Sequence, residues 1–201
     1  MGARIVLFDL GNVLVHWEPA RLYRMVMPHD DAQCFVDEIC TLAWHTEHDR
    51  GVPMDENIAK LSAEHPDKAE FIALWKTRWL DMFHGYIPGA PDIHAELKQR
   101  GVPLFALTNM PAEMWPTTSE AFPVIADFED VIVSGEEKLV KPNPRIFELA
   151  LNRMGGPRPN EVFFIDDSAK NIHAAADLGF RTHLFDGAPG LRAALEREGL
   201  L

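Results

Sequence analysis

Cysteine is scarce in this chain. Cys34 and Cys40 are the two among 201 residues, too few for a disulfide framework and without the spacing of a zinc site. They are expected to be reduced thiols, and the protein cytoplasmic. Long hydrophobic runs are missing as well. The apolar stretch Ile5-Val6-Leu7-Phe8 is broken by Asp9 and then Gly11-Asn12, too early for a signal-peptide core, and nothing reaches membrane length. Positive charge is the third shortage: 19 Lys and Arg stand against 31 Asp and Glu, a net charge of −12. That field repels nucleic-acid backbones and anionic membranes, so neither is an expected partner. A small anionic substrate stays open, provided a metal and a few local cations reverse the sign inside one pocket. No tract of low complexity or repeat is visible, and 47% hydrophobic with 25% charged residues are ordinary values for a folded domain with a real core.

What the chain does have is a series of short, almost wholly apolar runs: Arg4 to Phe8, Pro103 to Leu107, Val131 to Val133, Val162 to Ile165 and Thr182 to Phe185. Runs of this kind suit strands buried on both faces, as in a parallel sheet. Stretches of helical period lie between them, and Gly101, Gly155-Gly156 and Gly179 mark returns from helix to strand. The expected fold is α/β, a Rossmann-like doubly wound parallel sheet. Residues 16–85 break the pattern. There the strands stop, and helices are predicted over Pro19–Met27, Asp30–Leu42, Met54–Glu64 and Lys68–Phe83, followed by a linker over Gly85 to Pro91. The expected organisation is a core of residues 1–15 and 86–201, with residues 16–85 inserted as an all-helical cap. Helices packed permanently on a single domain are the alternative.

In open parallel sheets ligands sit beyond the carboxyl ends of the strands. The residues that end the runs are Asp9, Thr108-Asn109, Ser134 and Asp166-Asp167. One acid after a strand is unremarkable. Three carboxylates from two strands, with a hydroxyl from another, point to one pocket, where they would raise each other's pKa unless a cation neutralised them. Oxygen ligands with no accompanying His/Cys cluster favour Mg²⁺ over zinc. Lys141 precedes Pro142, and Asn143 with Pro144 can open a helix, which holds an ammonium at a helix mouth. A surface lysine in a turn is the other reading of the same segment.

Phe8-Asp9-Leu10-Gly11-Asn12-Val13, Leu107-Thr108-Asn109, Lys141-Pro142 and Phe164-Ile165-Asp166-Asp167 resemble, in order, the four motifs of the haloacid dehalogenase-like hydrolase superfamily. The resemblance spans nearly the whole chain, and the form of the first motif is similar to a branch that includes α-glucose-1-phosphate phosphatase. It implies a Rossmann-like core, a helical cap, and Mg²⁺-dependent hydrolysis of a small phosphorylated metabolite, a sugar phosphate for example, through an aspartyl-phosphate. It further implies that Asp9 is the nucleophile and that Asp9, Asp166, Asp167 and the Gly11 carbonyl hold Mg²⁺. Thr108 and the Asn109 amide would hold phosphoryl oxygens, with Gly11 and Asn12 beside them, and Lys141 would neutralise the site.

One position departs from the common pattern. Many phosphatases of this superfamily carry an aspartate two residues after the nucleophile as general acid, and here that residue is Gly11. Three explanations compete: another donor such as His16 or a cap residue, a 2-haloacid dehalogenase that needs no donor, or a binding or regulatory protein with little turnover. Family dehalogenases work without metal and do not normally keep the Asp-Asp pair, which favours the phosphatase. Within Trp44-His45-Thr46-Glu47-His48-Asp49-Arg50-Gly51, His45, His48 or Arg50 could meet the leaving group. The same segment also reads as an ordinary helix end, with Gly51 as the stop. Trp17, Trp75, Trp79 and Trp115 read as packing residues, Trp17 lying nearest the nucleophile loop. Asn171 either orients the metal acids or is solvated, and the acids of Ser134-Gly135-Glu136-Glu137 read as surface groups.

Overall fold

The computed structural model describes residues 2–201. In chain order the strands are β1 (Ile5–Phe8), β2 (Val15–Trp17), β3 (Phe83–Tyr86), β4 (Leu104–Thr108), β5 (Asp130–Val133), β6 (Val162–Asp166) and β7 (Arg181–Leu184). The helices are α1 (Pro19–Tyr23), α2 (His29–Glu38), α3 (Leu42–Asp49), α4 (Met54–Glu64), α5 (Ala69–Thr77), α6 (Ala90–Gln99), α7 (Trp115–Ala121), α8 (Ser134–Glu137), α9 (Pro144–Arg153), α10 (Ala169–Asp177) and α11 (Ala188–Glu198). Five strands form one parallel sheet in the order β5-β4-β1-β6-β7, the α/β architecture expected from the apolar runs.

The sheet explains why those runs are continuous. Successive residues of a strand face opposite sides, and both sides are covered. Val6, Phe8, Leu104, Ala106, Phe163 and Ile165 join one buried cluster with Ile93 and Leu97 of α6 and Leu191 and Leu195 of α11. Leu7, Phe105, Leu107, Val162 and Phe164 join the other with Ile146 and Phe147 of α9 and Ile172 of α10. The first cluster continues into the helical block through Tyr23, Phe35, Leu61 and the fully buried Trp75. Both cysteines are free.

The stretch expected to be all-helical is not. β2 and β3 pair antiparallel, with Val15 opposite Tyr86, His16 opposite Gly85 and Trp17 opposite Phe83, so the chain enters and leaves the helical block through one two-stranded ribbon. The predicted Gly85–Pro91 linker shrinks accordingly to the residues between β3 and α6. Predicted Asp30–Leu42 breaks after Glu38, and α3 starts anew where the Thr41 hydroxyl accepts from the Trp44 amide at 3.1 Å; a capping side chain stabilises a helix start that interrupts an otherwise helical period. Predicted Lys68–Phe83 ends at Thr77, followed by a 3-10 turn over Trp79–Met82. Predicted Pro19–Met27 stops at Tyr23, and Met54–Glu64 forms as expected.

Candidate active site

Parallel pairing brings every strand of the main sheet to one carboxyl edge, and the polar residues of the sequence gather there. The Asp9 amide extends the ladder to the Ile165 carbonyl at 2.8 Å, which sets the ends of β1 and β6 side by side. Carboxylate oxygens of Asp9, Asp166 and Asp167 lie within 4.8 Å of one another. Asp9 and Asp166 are buried and Asp167 is exposed. The Lys141 ammonium sits between the two buried acids, 2.9 Å from Asp9 Oδ1 and 2.8 Å from Asp166 Oδ2. Lys141 is itself held by a reciprocal pair. Its amide donates to Asn109 Oδ1 at 2.9 Å, and Asn109 Nδ2 donates to its carbonyl at 3.1 Å. The Asn143 side chain accepts from the Arg145 amide at 3.0 Å and caps α9 just beyond. Asn171 is buried and donates to both Asp166 oxygens, at 2.9 and 3.0 Å, and the Ser168 amide donates to Oδ1 at 2.8 Å. Of the two readings of Asn171, the geometry matches the orienting one. Glu137 is paired with Arg153 and Glu136 is exposed, so both belong to the surface.

Burial pushes the Asp9 carboxyl well above the usual carboxylate range; Lys141 opposes that rise and Asp166 adds to it. Partial desolvation of its carboxyl group raises Asp167 too, again with Asp166 adding. Burial opposes the charge of Lys141, but Asp166 and Asp9 outweigh it and hold the ammonium above its ordinary range. Three carboxylates against one ammonium leave the cluster short of positive charge, a deficit that a hard cation would relieve.

A cavity of about 300 Å³ opens on this cluster. Asp9, Gly11, Asn12, Thr108, Asn109, Lys141 and Asp167 line it from the core, and Trp17, His45, Asp49 and Trp79 from the ribbon and helical block. Arg50 is not among them. It lines an adjoining outer pocket of about 620 Å³ with Lys138 and Lys170, and its guanidinium donates to Glu47 Oε1 at 2.5 Å. His16 is exposed on the ribbon beside His84, outside the cavity. His48 is buried with Nε2 2.9 Å from Asn57 Nδ2, and burial lowers it to about 4. His45 does line the cavity, but burial lowers it to about 3, with His48 adding. Burial thus favours the neutral form of both His45 and His48. Asp49 has no part in the reading of the sequence, and Trp79 only that of a packing residue. The one local signal for Asp49 is an acid in the last turn of a helix, where the dipole disfavours negative charge.

Two glycines set the approach of α3 to the core. Gly51 has φ +88°, and a Cβ there would stand 2.9 Å from the Gly135 carbonyl oxygen; a Cβ on Gly135 would stand 2.4 Å from the Ala112 amide nitrogen and 2.9 Å from the Met110 carbonyl oxygen. These are backbone atoms that cannot turn aside. Gly135→Ala should therefore destabilise the protein by about 1–3 kcal/mol, as overpacking of a tight contact does. A urea unfolding midpoint matching the parent would show that the loop after β4 yields freely.

Residues 3–179 match the haloacid dehalogenase-like hydrolase family. The chain belongs to that family. Among curated relatives of this chain are (S)-2-haloacid dehalogenase 4A of Burkholderia cepacia, 30% identical over 47% of this chain and 41% of its own length, and phosphoglycolate phosphatase of Pectobacterium atrosepticum, 34% identical over 44% of this chain and 37% of its own length. The matches thus span less than half of either relative. A haloacid dehalogenase family enzyme of Bacteroides thetaiotaomicron, solved with magnesium and inorganic phosphate, superposes with a TM-score of 0.71 at 23% identity, over 92% of this chain and 96% of its own. That likeness places the fold.

Lys141 is a buried charge serving two buried partners. Lys141→Met should lower stability by about 3–5 kcal/mol, the cost of leaving buried charges without their counter-ion. Urea denaturation at neutral pH checks it, and an unchanged midpoint would mean that Asp9 and Asp166 are neutralised some other way.

Proposed function

We propose that this hydrolase cleaves a small phosphate monoester, using Asp9 as nucleophile and Mg²⁺ as cofactor. The observation that carries this reading is the three-carboxylate cluster of Asp9, Asp166 and Asp167 bridged by Lys141. An oxygen-only donor set, short of positive charge, fits Mg²⁺. Asp9, Asp166, Asp167 and the Gly11 carbonyl would hold it, and the bound ion supplies neutralisation for the transferring phosphoryl group. The chain's own residues supply the remainder. A carboxylate oxygen of Asp9 attacks phosphorus, the bond to the leaving-group oxygen breaks, and an aspartyl-phosphate forms. Water then cleaves the new P–O bond, releasing phosphate and restoring Asp9. Thr108 and the Asn109 amide hold the phosphoryl oxygens, and Lys141 balances charge that would otherwise repel them.

Residues 16–85 act as the cap over a core of residues 1–15 and 86–201. The presence of Trp17, His45, Asp49 and Trp79 in the cavity lining supports that division. Arg50, in the outer pocket, is placed to meet the distal part of a substrate. Relatives named phosphoglycolate phosphatase and phosphoserine phosphatase support a small phosphorylated metabolite as substrate, with sugar phosphates in the same size class. Among the described residues no helix is long and apolar enough to cross a membrane, and the net charge of −12 disfavours nucleic acid. We place the enzyme in the cytoplasm.

The test is phosphate release from p-nitrophenyl phosphate with Mg²⁺ and with a chelator, run beside halide release from a 2-haloacid. Mg²⁺-dependent phosphate release is the expected result. Metal-independent halide release would make the protein a dehalogenase, in line with its dehalogenase relatives, and neither activity would leave a binding protein.

A further inference from the structure

We infer that Asp49, the last residue of α3, is the general acid and base that Gly11 cannot be. The assignment rests on the phosphatase reading above and supplies its missing proton.

Asp49 is buried, lines the same cavity as Asp9 and Lys141, and its Oδ1 has no hydrogen-bond partner among the described residues. It is also the one carboxyl in the cavity lining besides Asp9 and Asp167, which are committed to nucleophile and metal. Its neighbour is fixed in a telling tautomer. Trp75 Nε1 donates to His45 Nδ1 at 3.2 Å. An indole nitrogen can only donate, so Nδ1 must accept, and the neutral imidazole carries its hydrogen on Nε2. That nitrogen stands 3.4 Å from Asp49 Oδ1 without the geometry of a hydrogen bond. With Nδ1 occupied and its hydrogen already on Nε2, His45 does not take the Asp49 proton.

The position is costly if Asp49 does nothing. A carboxylate at a helix C-terminus opposes the dipole, and a buried polar oxygen without a partner costs stability. Burial raises the Asp49 carboxyl to about 7, with Lys141 and Arg50 holding it back, where a group can both give and take a proton near neutrality. Nor does packing force the glycine in the first motif. A Cβ on Gly11 would meet nothing within 4 Å, and Gly11 is not among the residues at positive φ. A Cβ fits at Gly11, and the chain carries its acid on α3 instead.

The chemistry balances. As Asp9 attacks phosphorus and the P–O bond to the leaving group breaks, the Asp49 carboxylic acid gives its proton to the departing oxygen, and an alcohol leaves. Asp49, now a carboxylate, takes a proton from the water that attacks the aspartyl-phosphate. The P–O bond to Asp9 breaks, phosphate leaves, and both aspartates return to their starting states.

Such a donor matters in proportion to the basicity of the leaving group, and this separates it from a residue that merely shapes the cap. The experiment measures kcat/KM with Mg²⁺ across phosphate monoesters of graded leaving-group pKa, from p-nitrophenyl phosphate to alkyl phosphates. It compares the parent, Asp49→Asn, and Asp49→Asn combined with Gly11→Asp. In Asp49→Asn, alkyl phosphates should lose about 10²–10⁴-fold, the usual worth of general acid catalysis, and p-nitrophenyl phosphate much less. Gly11→Asp should restore part of the alkyl activity. The Asp49→Asn melting temperature should equal or exceed the parent's; if it falls, Asp49→Ser carries the same comparison. Equal losses on aryl and alkyl esters, or an unaltered leaving-group dependence, overturn the assignment while the phosphatase reading stands. A parent that cleaves aryl but ignores alkyl phosphates overturns it too. A parent with no Mg²⁺-dependent release from any ester overturns both.

Discussion

Asp9→Asn should abolish phosphate release, by a factor on the order of 10⁴ or more, as removal of a covalent nucleophile does elsewhere. The carboxamide has the same shape but no charge to attack phosphorus, and it cannot form the acyl phosphate. The fold should survive. Asp9 makes its ladder contact through the backbone amide to Ile165, and burial already disfavours its charged form. Lys141 keeps Asp166 as its partner. Circular dichroism and a melting curve like the parent's, with phosphate release at the limit of detection, is the expected pair of results. Near-normal turnover in the folded variant would remove the covalent mechanism.

The second large effect is expected at Asp166, which is fully buried and has both oxygens engaged. Asp166→Asn keeps the volume but removes the charge. Loss of a partner once removed from a metal costs about 10–100-fold in affinity or activity, so a direct ligand should cost at least the upper end of that range in the Mg²⁺ needed for activity. A second readout does not depend on turnover. A ligand that binds only the folded state raises the melting temperature as its concentration exceeds Kd. Mg²⁺ should therefore stabilise the parent, and Asp166→Asn far less. Equal thermal responses to Mg²⁺ would mean that the cation sits on other groups.

The core sheet was legible because its signal is local. Strands buried on both faces need apolar residues at every position, so Val6-Leu7-Phe8 or Val162 to Ile165 reads the same whatever lies around it. The runs came one residue short at Thr108 and Asp166, each the last residue of its strand in the structure, because a polar side chain at the carboxyl edge ends the apolar pattern before it ends the pairing. The ribbon was not legible. β2 and β3 are three and four residues long, and each is a strand only because the other lies beside it, although the whole helical block separates them in sequence. The same holds for the site. Asp9, Thr108 and Asp166 were visible as polar residues at the ends of runs, and Lys141 as the lysine before Pro142; the first three meet because parallel strands share an edge. Asp49 was hidden inside a segment that reads as a helix end. Two residues on, Gly51 lies close against the backbone of Gly135, more than eighty residues away, and no window of local sequence carries that contact. His16 lies outside the cavity for a related reason: proximity to Asp9 in sequence says nothing about which side of a ribbon a side chain takes.

The ribbon also bears on how such a chain can change over generations. Val15 and Tyr86 are register partners, so the core meets the entire helical block as a single closed loop whose two feet stand together. Lengthening, shortening or exchanging helices between those feet need not shift the strands that carry Asp9, Thr108 and Asp166. Selection can then rework what the block presents to a substrate, Asp49 and Trp79 included, while the machinery at the sheet edge is inherited unaltered.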